Sequence, residues 1–240
     1  MQPPLHQKRL GKIFFLTKSE KRVIMITDQY LAVKGGITLN KIITIGREFG
    51  SGGRELGKRL AENLGIAYYD KEIIEEISKR TRLAESYVQQ IVEQKTGVFF
   101  PITVGRTLHT GGHDYIMRQY TQVYAEQANV MREMAERSDC VIVGRCGDYI
   151  LKDYNPFRIF VYSDIDAKVR RCREKADEHE HLSDKELRRL IHRIDKSRAR
   201  YYHYYSGQVW GKHSNYDMCI NTASIPVKEL AAALTHLFES

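Results

Sequence analysis

Little in this sequence would cross-link it or seat it in a bilayer. Its four cysteines, Cys140, Cys146, Cys172 and Cys219, are scattered without a C-x-x-C spacing, which excludes a disulfide framework and a cysteine zinc site. A free thiol in an apolar, strand-like run packs as a small hydrophobe. No apolar run approaches the roughly 18 residues that a membrane span needs. The run Ile13 to Leu16 is far too short for the core of a signal peptide. Neither an internal repeat nor a low-complexity segment is present. These absences predict a cytoplasmic protein with no membrane partner. Nor is charge of one sign dominant: 38 basic residues face 30 acidic ones, a net +8. The excess favours acidic partners such as nucleotides and phosphates, while the many carboxylates argue against a polycationic nucleic-acid binder. With 240 residues, 42% of them hydrophobic, the chain can bury the core of one domain, with or without an appendage.

The stretch that organises the rest runs from Lys41 to Asp70. Ile42 to Ile45 form a short β-branched run, the pattern of a strand buried on both faces. Gly46, Gly50, Gly52 and Gly53 surround Ser51 in a glycine-rich turn. Leu56, Leu60 and Leu64 then recur at helical spacing among charged residues, up to Gly65. Strand, glycine turn and helix aim backbone N–H groups at one point, and the helix dipole adds about half a positive charge there. Such a turn binds phosphate. A phosphate loop reads G-x-x-x-x-G-K-[ST]. In the nearest register Arg47 stands at the first glycine, Gly52 at the second and Gly53 at the lysine. The loop lysine is missing. Two other readings stay open: a tight turn that binds nothing, and a dinucleotide fingerprint, which the Glu55 at its third glycine position weakens.

Downstream, short apolar strands alternate with amphipathic helices. Strands are expected at Ile66 to Tyr69, Cys140 to Val143, Arg158 to Tyr162 and Tyr216 to Ile220. Helices are expected from Lys71 to about Arg80, over Leu83 to Glu93, Tyr115 to Arg137, after Ser163 or Asp164, after Ser183, and over Pro226 to Phe238. Thr96 to Gly112, with Pro101 and four glycines, reads as a loop or a pair of short strands. The alternation predicts an α/β fold in three layers, a parallel sheet with helices on both faces. Ligands of such sheets bind beyond the carboxyl ends of the strands. There the sequence places Gly46 to Arg54, Asp70 with Lys71, and Gly144 with Arg145. Met1 to Asn40 differs in character, with Pro3, Pro4 and a scatter of lysines and arginines. It reads as a basic N-terminal extension, flexible rather than a functional arm, ahead of a domain over 41–240.

Three segments, Ile42 to Asp70, Val141 to Leu151 and Ile194 to Tyr205, resemble in order the cytidylate-kinase-like proteins. These relatives of the nucleoside monophosphate kinases have a glycine loop reading G-S-G-G-R-E where cytidylate kinases have G-S-G-K-G-T. The resemblance implies a P-loop nucleoside monophosphate kinase fold with a helical lid, at approximately 176–208. It implies ATP with Mg²⁺ as donor and a nucleoside monophosphate, CMP or dCMP, as acceptor. Gly50, Ser51, Gly52, Gly53, Arg54 and Glu55 would then hold the donor's phosphates, and Asp70, Lys71 and Arg145 the acceptor. Arg54, Arg193 and Arg198 would be the catalytic cations, with Arg54 standing in for the lysine. Arg200 falls in the same lid segment. The family's aspartate before the Gly-Arg is Val143 here.

Plainer readings stand beside these. Asp70 also reads as a helix N-cap, Arg193 to Arg200 as a solvated face paired with Asp195, and Arg170 and Arg171 as surface charges. Glu55, at the position of a Mg²⁺-holding threonine, approaches the metal or caps its helix. No protein metal site is expected: His109 and His113 are separated by a glycine pair, and Glu178 to His181 reads as a solvated loop. The tyrosines at 201, 202, 204 and 205, with Trp210, read as packing behind the lid. Without the loop lysine, the alternative to a kinase is a nucleotide-binding or regulatory protein of the same fold. A nucleic-acid binder is the minor third.

Overall fold

The computed structural model describes residues 40–93, 112–175 and 182–239, with the side chains of 112–117 excepted. The N-terminal extension up to residue 39, most of the Thr96 to Gly112 segment, His109, and residues 176–181 of the expected lid lie outside the described residues.

β1 spans Ile42–Arg47, α1 Gly53–Leu64, β2 Ala67–Tyr69, α2 Glu72–Thr81 and α3 Glu85–Glu93. α4 follows at Gly112–Arg137, then β3 at Cys140–Val143, a one-turn α5 at Gly147–Ile150 and β4 at Phe157–Tyr162. α6 (Ile165–Glu174), α7 (Asp184–Ser206), β5 (Met218–Asn221) and α8 (Val227–Glu239) are the remaining strands and α-helices among the described residues. The five strands are parallel in the order β2-β3-β1-β4-β5. β1, which carries the glycine turn, is therefore central.

Alternation along the strands separates the two sides of the sheet. Ile43, Ile45, Val141, Val143, Ile159 and Val161 point to one face and pack on Leu56 and Leu60 of α1 and Leu234 of α8. Ile42, Cys140 and Ile142 point to the other, against Ile73, Ile77, Val88, Ile91 and Met131 from α2, α3 and α4. Leu56 and Leu60 have no exposed surface, and each contributes about 1.5–3 kcal/mol by burial. A third, smaller cluster joins α6 to α7 through Val169, Leu187 and Ile191, with Phe49 of the glycine turn packed against it.

Most elements fall within two or three residues of their predicted places. Three differ in kind. α5 has four residues, too few for any periodic signal. α4 begins at Gly112 and so includes His113, where the glycine pair was expected to break a helix. α7 runs unbroken for 23 residues, through the whole tyrosine cluster. At its start the predicted cap is present as a capping box: Ser183 Oγ accepts from the Glu186 N–H at 3.3 Å, and the Glu186 carboxylate accepts from the Ser183 N–H at 2.8 Å. α6, in contrast, starts after Asp164 with no side-chain cap.

Candidate functional site

Beyond the carboxyl ends of β1 and β2 lies a cleft of about 900 Å³. Its floor is the turn from Arg47 to Arg54 and its walls include Tyr68, Asp70 and Lys71 on one side. On the other, Leu187, Leu190, Ile194 and Arg198 form one stripe of α7. The turn is tight: Ser51, fully buried, donates its hydroxyl to the Glu48 carbonyl at 2.8 Å. α1 then starts at Gly52, an N-cap with φ 84° and no side-chain cap. The amides of its first turn have no partners within the helix. They face the cleft with the positive end of the helix dipole.

Charge at this place is concentrated on one carboxylate. Asp70, 3% exposed, follows β2 and receives three guanidinium groups. Arg145 Nη1 is 3.0 Å from Oδ1, Arg54 Nε 2.7 Å from Oδ2 and Arg47 Nη2 3.8 Å from Oδ1. Burial alone would raise the Asp70 pKa; Arg145, Arg47 and Arg54 together hold it below the usual carboxylate range. A fourth guanidinium, Arg198, donates to the Arg47 carbonyl at 3.2 Å and lies 4.0 Å from Asp195. Arg47 is the most enclosed of these cations that face the cleft. Its pKa is pushed down to about 9, first by burial and next by Arg198, with Asp70 opposing. The cluster holds more positive charge than Asp70 can balance.

Arg145 sits in strained backbone. Gly144, Arg145 and Cys146 all have positive φ, at 76°, 55° and 56°. The fully buried Gln127 fixes this turn by donating to the Arg145 carbonyl at 2.9 Å. Arg145 faces a second, small cavity of about 50 Å³, which Arg47 and Arg198 also line. Its side chain is 5% exposed, and its Nε is buried without a hydrogen-bond partner. Burial raises the pKa of Asp148 in the same cavity, although the Tyr202 hydroxyl, donating at 2.6 Å, works against that.

The other expected site residues divide. Arg54 is 54% exposed and spent on Asp70. Lys71 is exposed on the cleft wall. Arg198 lines the cleft, whereas Arg193 and Arg200 are exposed on α7 and are not among its lining residues. Asp70 does not cap α2. The N-cap is Lys71, and the Asp70 carboxylate is drawn to the arginines instead. Glu55 is held by Arg59 at 2.9 Å and by Lys175. Arg171 is no free surface charge: it donates to the carbonyls of Gly50 at 2.8 Å and Thr222 at 3.0 Å, pinning the turn to the segment after β5. Tyr201 and Tyr202 are buried as packing, while Tyr204 is 46% exposed.

Sequence reasoning missed two groups. Arg47 was passed over because it departs from the loop pattern, although that departure was the available signal. Lys168, 7% exposed, bonds Glu48 at 2.6 Å and Asp195 at 3.0 Å, and Asp195 also accepts the Phe49 N–H at 2.7 Å. Nothing in its helical charge pattern distinguished Lys168 from its exposed neighbours.

The carboxylates nearest the turn do not fit a protein-held metal. Glu48, Glu55 and Asp70 are each already paired with a cation. Among the described residues no group of three or more His, Cys, Asp or Glu side chains could hold a metal ion. Nor is any described helix long and apolar enough to cross a membrane.

A five-stranded parallel sheet with β1 central, helices on both faces and a glycine turn opening α1 defines a P-loop nucleoside monophosphate kinase type of fold. The chain belongs to the cytidylate kinase-like family, whose sequence model matches residues 42–224. That membership places it among the nucleotide-kinase-like proteins. It is similar to an uncharacterized protein from Eubacterium ventriosum, at 28% identity and a TM-score of 0.60 over 84% of this chain and 99% of that one. A shikimate kinase from Bacteroides thetaiotaomicron matches 83% of this chain and 99% of its own at 18% identity and a TM-score of 0.49. No curated protein matches the chain.

Proposed function

We propose that this protein is an ATP-dependent nucleoside monophosphate kinase with CMP or dCMP as acceptor. The observation that carries the reading is the arginine cluster on Asp70, set beside the uncapped start of α1. Phosphoryl transfer asks mainly for positioning and for positive charge around the transferring group. An oxygen of the acceptor's phosphate bonds to the γ-phosphorus while the bond from that phosphorus to the β,γ-bridging oxygen breaks. The products are ADP and the nucleoside diphosphate. In this reading the amides from Gly50 to Glu55 hold the donor, Arg54 and Arg198 neutralise the transferring group, and Asp70, Lys71 and Arg145 receive the acceptor. Mg²⁺ entering with ATP would neutralise charge on the transferring phosphates. The segment 176–208 acts as the lid of a domain over 41–240, and residues 1–40 stay outside the chemistry. Four free thiols suit a reducing cytoplasm.

A second reading, a nucleotide-binding protein without turnover, is favoured by one observation: Glu55, at the metal-holding position, is tied to Arg59 and Lys175. A coupled ADP-release assay with Mg-ATP and a panel of nucleoside monophosphates separates the two. Turnover on CMP or dCMP that collapses in Arg145→Ala is the expected result. ATP binding by calorimetry without turnover on any acceptor overturns the kinase reading in favour of the second.

A further inference from the structure

The missing loop lysine has a steric cause in β1. The Arg47 side chain leaves the end of β1 and runs beneath the first residue of α1. A β-carbon placed on Gly53 would lie 2.5 Å from Arg47 Cβ and 3.1 Å from its Cγ, with Val161 Cβ at 3.2 Å. Real β-carbons essentially never approach other heavy atoms within 3.0 Å. These are near-backbone atoms of the arginine, so no swing of its far end relieves the overlap. Position 53 therefore cannot hold a lysine while Arg47 is there. The guanidinium continues over Gly144, at the end of β3. A β-carbon there would overlap Arg47 Nη1 and stand 2.7 Å from Cζ. Two glycines thus frame one arginine, one at its stem and one at its head.

The head lies where phosphate chemistry needs a cation. It is close to Asp70 and lines both the large cleft and the smaller cavity faced by Arg145. It therefore stands between the start of α1 and the buried, unpartnered Nε of Arg145. The arginine is 11% exposed and shares one carboxylate with two other guanidiniums. Burying a cation with so little compensation is costly unless an anion completes the set. A guanidinium also grips two phosphate oxygens at once, as a lysine ammonium does not.

We propose that Arg47, from the central strand, supplies the cation that grips the donor's terminal phosphates in place of a loop lysine, and that Gly53 is a glycine because the arginine's stem fills the space of its β-carbon. The role of Arg54 in the donor site is then secondary, through Asp70. This rests on the kinase reading only for which phosphate is transferred; the binding claim stands without turnover.

The test uses the full chain and reads two quantities, calorimetric affinity for ATP and for inorganic tripolyphosphate, and ADP release with CMP. Arg47→Gln keeps the stem that packs under Gly53 and removes the charge. It is expected to weaken tripolyphosphate at least tenfold, with unfolding by circular dichroism close to wild type. Gly53→Lys alone is expected to destabilise the fold and to weaken binding, because the new side chain meets the arginine stem. In the double variant Arg47→Gly with Gly53→Lys, the β-carbon and stem at 47 are both gone and the lysine returns, so affinity should recover to within tenfold of wild type. That reversal of sign is not produced by a merely structural arginine. If Arg47→Gln binds tripolyphosphate within twofold of wild type, or if the folded double variant recovers nothing, the proposal is overturned. Arg47-dependent binding without turnover overturns the kinase reading and leaves this one standing. Turnover and affinity unchanged in Arg47→Gln do the reverse, and a wild type that binds neither polyanion overturns both.

Discussion

Replacing Asp70 by asparagine removes the carboxylate that Arg145, Arg54 and Arg47 share while keeping its volume and one acceptor oxygen. The Asp70 side chain is 4% exposed, Arg145 5% and Arg47 11%, so both of those cations lose a buried counter-ion. Breaking a buried pair by removing one partner costs about 3–5 kcal/mol. Arg54, 54% exposed, adds little because water screens it. The asparagine oxygen still accepts from Arg145, which places the expected loss near the lower end, about 3 kcal/mol. With a urea slope of roughly 3 kcal/mol per molar, the unfolding midpoint should fall by about 1 M at pH 7.5. The surplus positive charge then gives a second, opposite signal. Sulfate or tripolyphosphate binds the folded variant without displacing Asp70, and at a hundred times its dissociation constant restores about 2.7 kcal/mol. The same anion should stabilise wild type less. The pH dependence has a definite sign. The folded pKa of Asp70 lies below its unfolded value, so its stabilisation is complete above the ordinary carboxylate range, near pH 4. It is lost only as pH falls through the lower, folded value, and Asp70→Asn should remove that acid-side loss. A variant within 1 kcal/mol of wild type, or one that gains no more from sulfate than wild type does, would refute the reasoning.

Two further perturbations probe the supports of the site. Gly144→Ala puts a methyl group against the head of Arg47 in a residue with φ 76°; it should cost about 1–2 kcal/mol in urea unfolding and weaken ATP severalfold, and unchanged affinity would count against the contact. Lys168→Met leaves Glu48 and Asp195 without their shared cation, so a loss of about 3 kcal/mol and faster hydrogen exchange at the Phe49 amide are expected; slow exchange at Phe49 would show that Asp195 holds the turn unaided.

Much of the architecture was legible because periodicity is a one-dimensional signal. β3 matches Cys140 to Val143 residue for residue, since a run buried on both faces has little choice of ends. The glycine turn, Asp70 and Arg145 were legible as a set because the strand ends of a parallel sheet share one edge. What stayed hidden depends on the third dimension. The place of Arg47 follows from contacts with Gly53, Gly144 and Asp70, which come from three different elements. Likewise Lys168 and Arg171 carry the same charge as Arg170, and only burial separates them. Arg193 and Arg198 differ by the angle between their positions on α7, which turns Arg198 inward with Leu187, Leu190 and Ile194. α5 and the left-handed turn before it left no pattern at all, because a strained backbone is fixed by its surroundings rather than by its own sequence.

The overlap between positions 47 and 53 also shapes how this loop can change by descent. A lysine arriving at 53 while the arginine persists meets a filled space, and loss of the arginine first leaves a void and a turn with neither cation. Neither single step is neutral, so the two sequences G-K and R…G are separated by a valley rather than joined by a slope. A lineage that has entered the arginine form is held there by the geometry of one side chain. Positions 47 and 53 are thereby constrained to vary as one, while 144 is confined by its own left-handed backbone, at φ 76°.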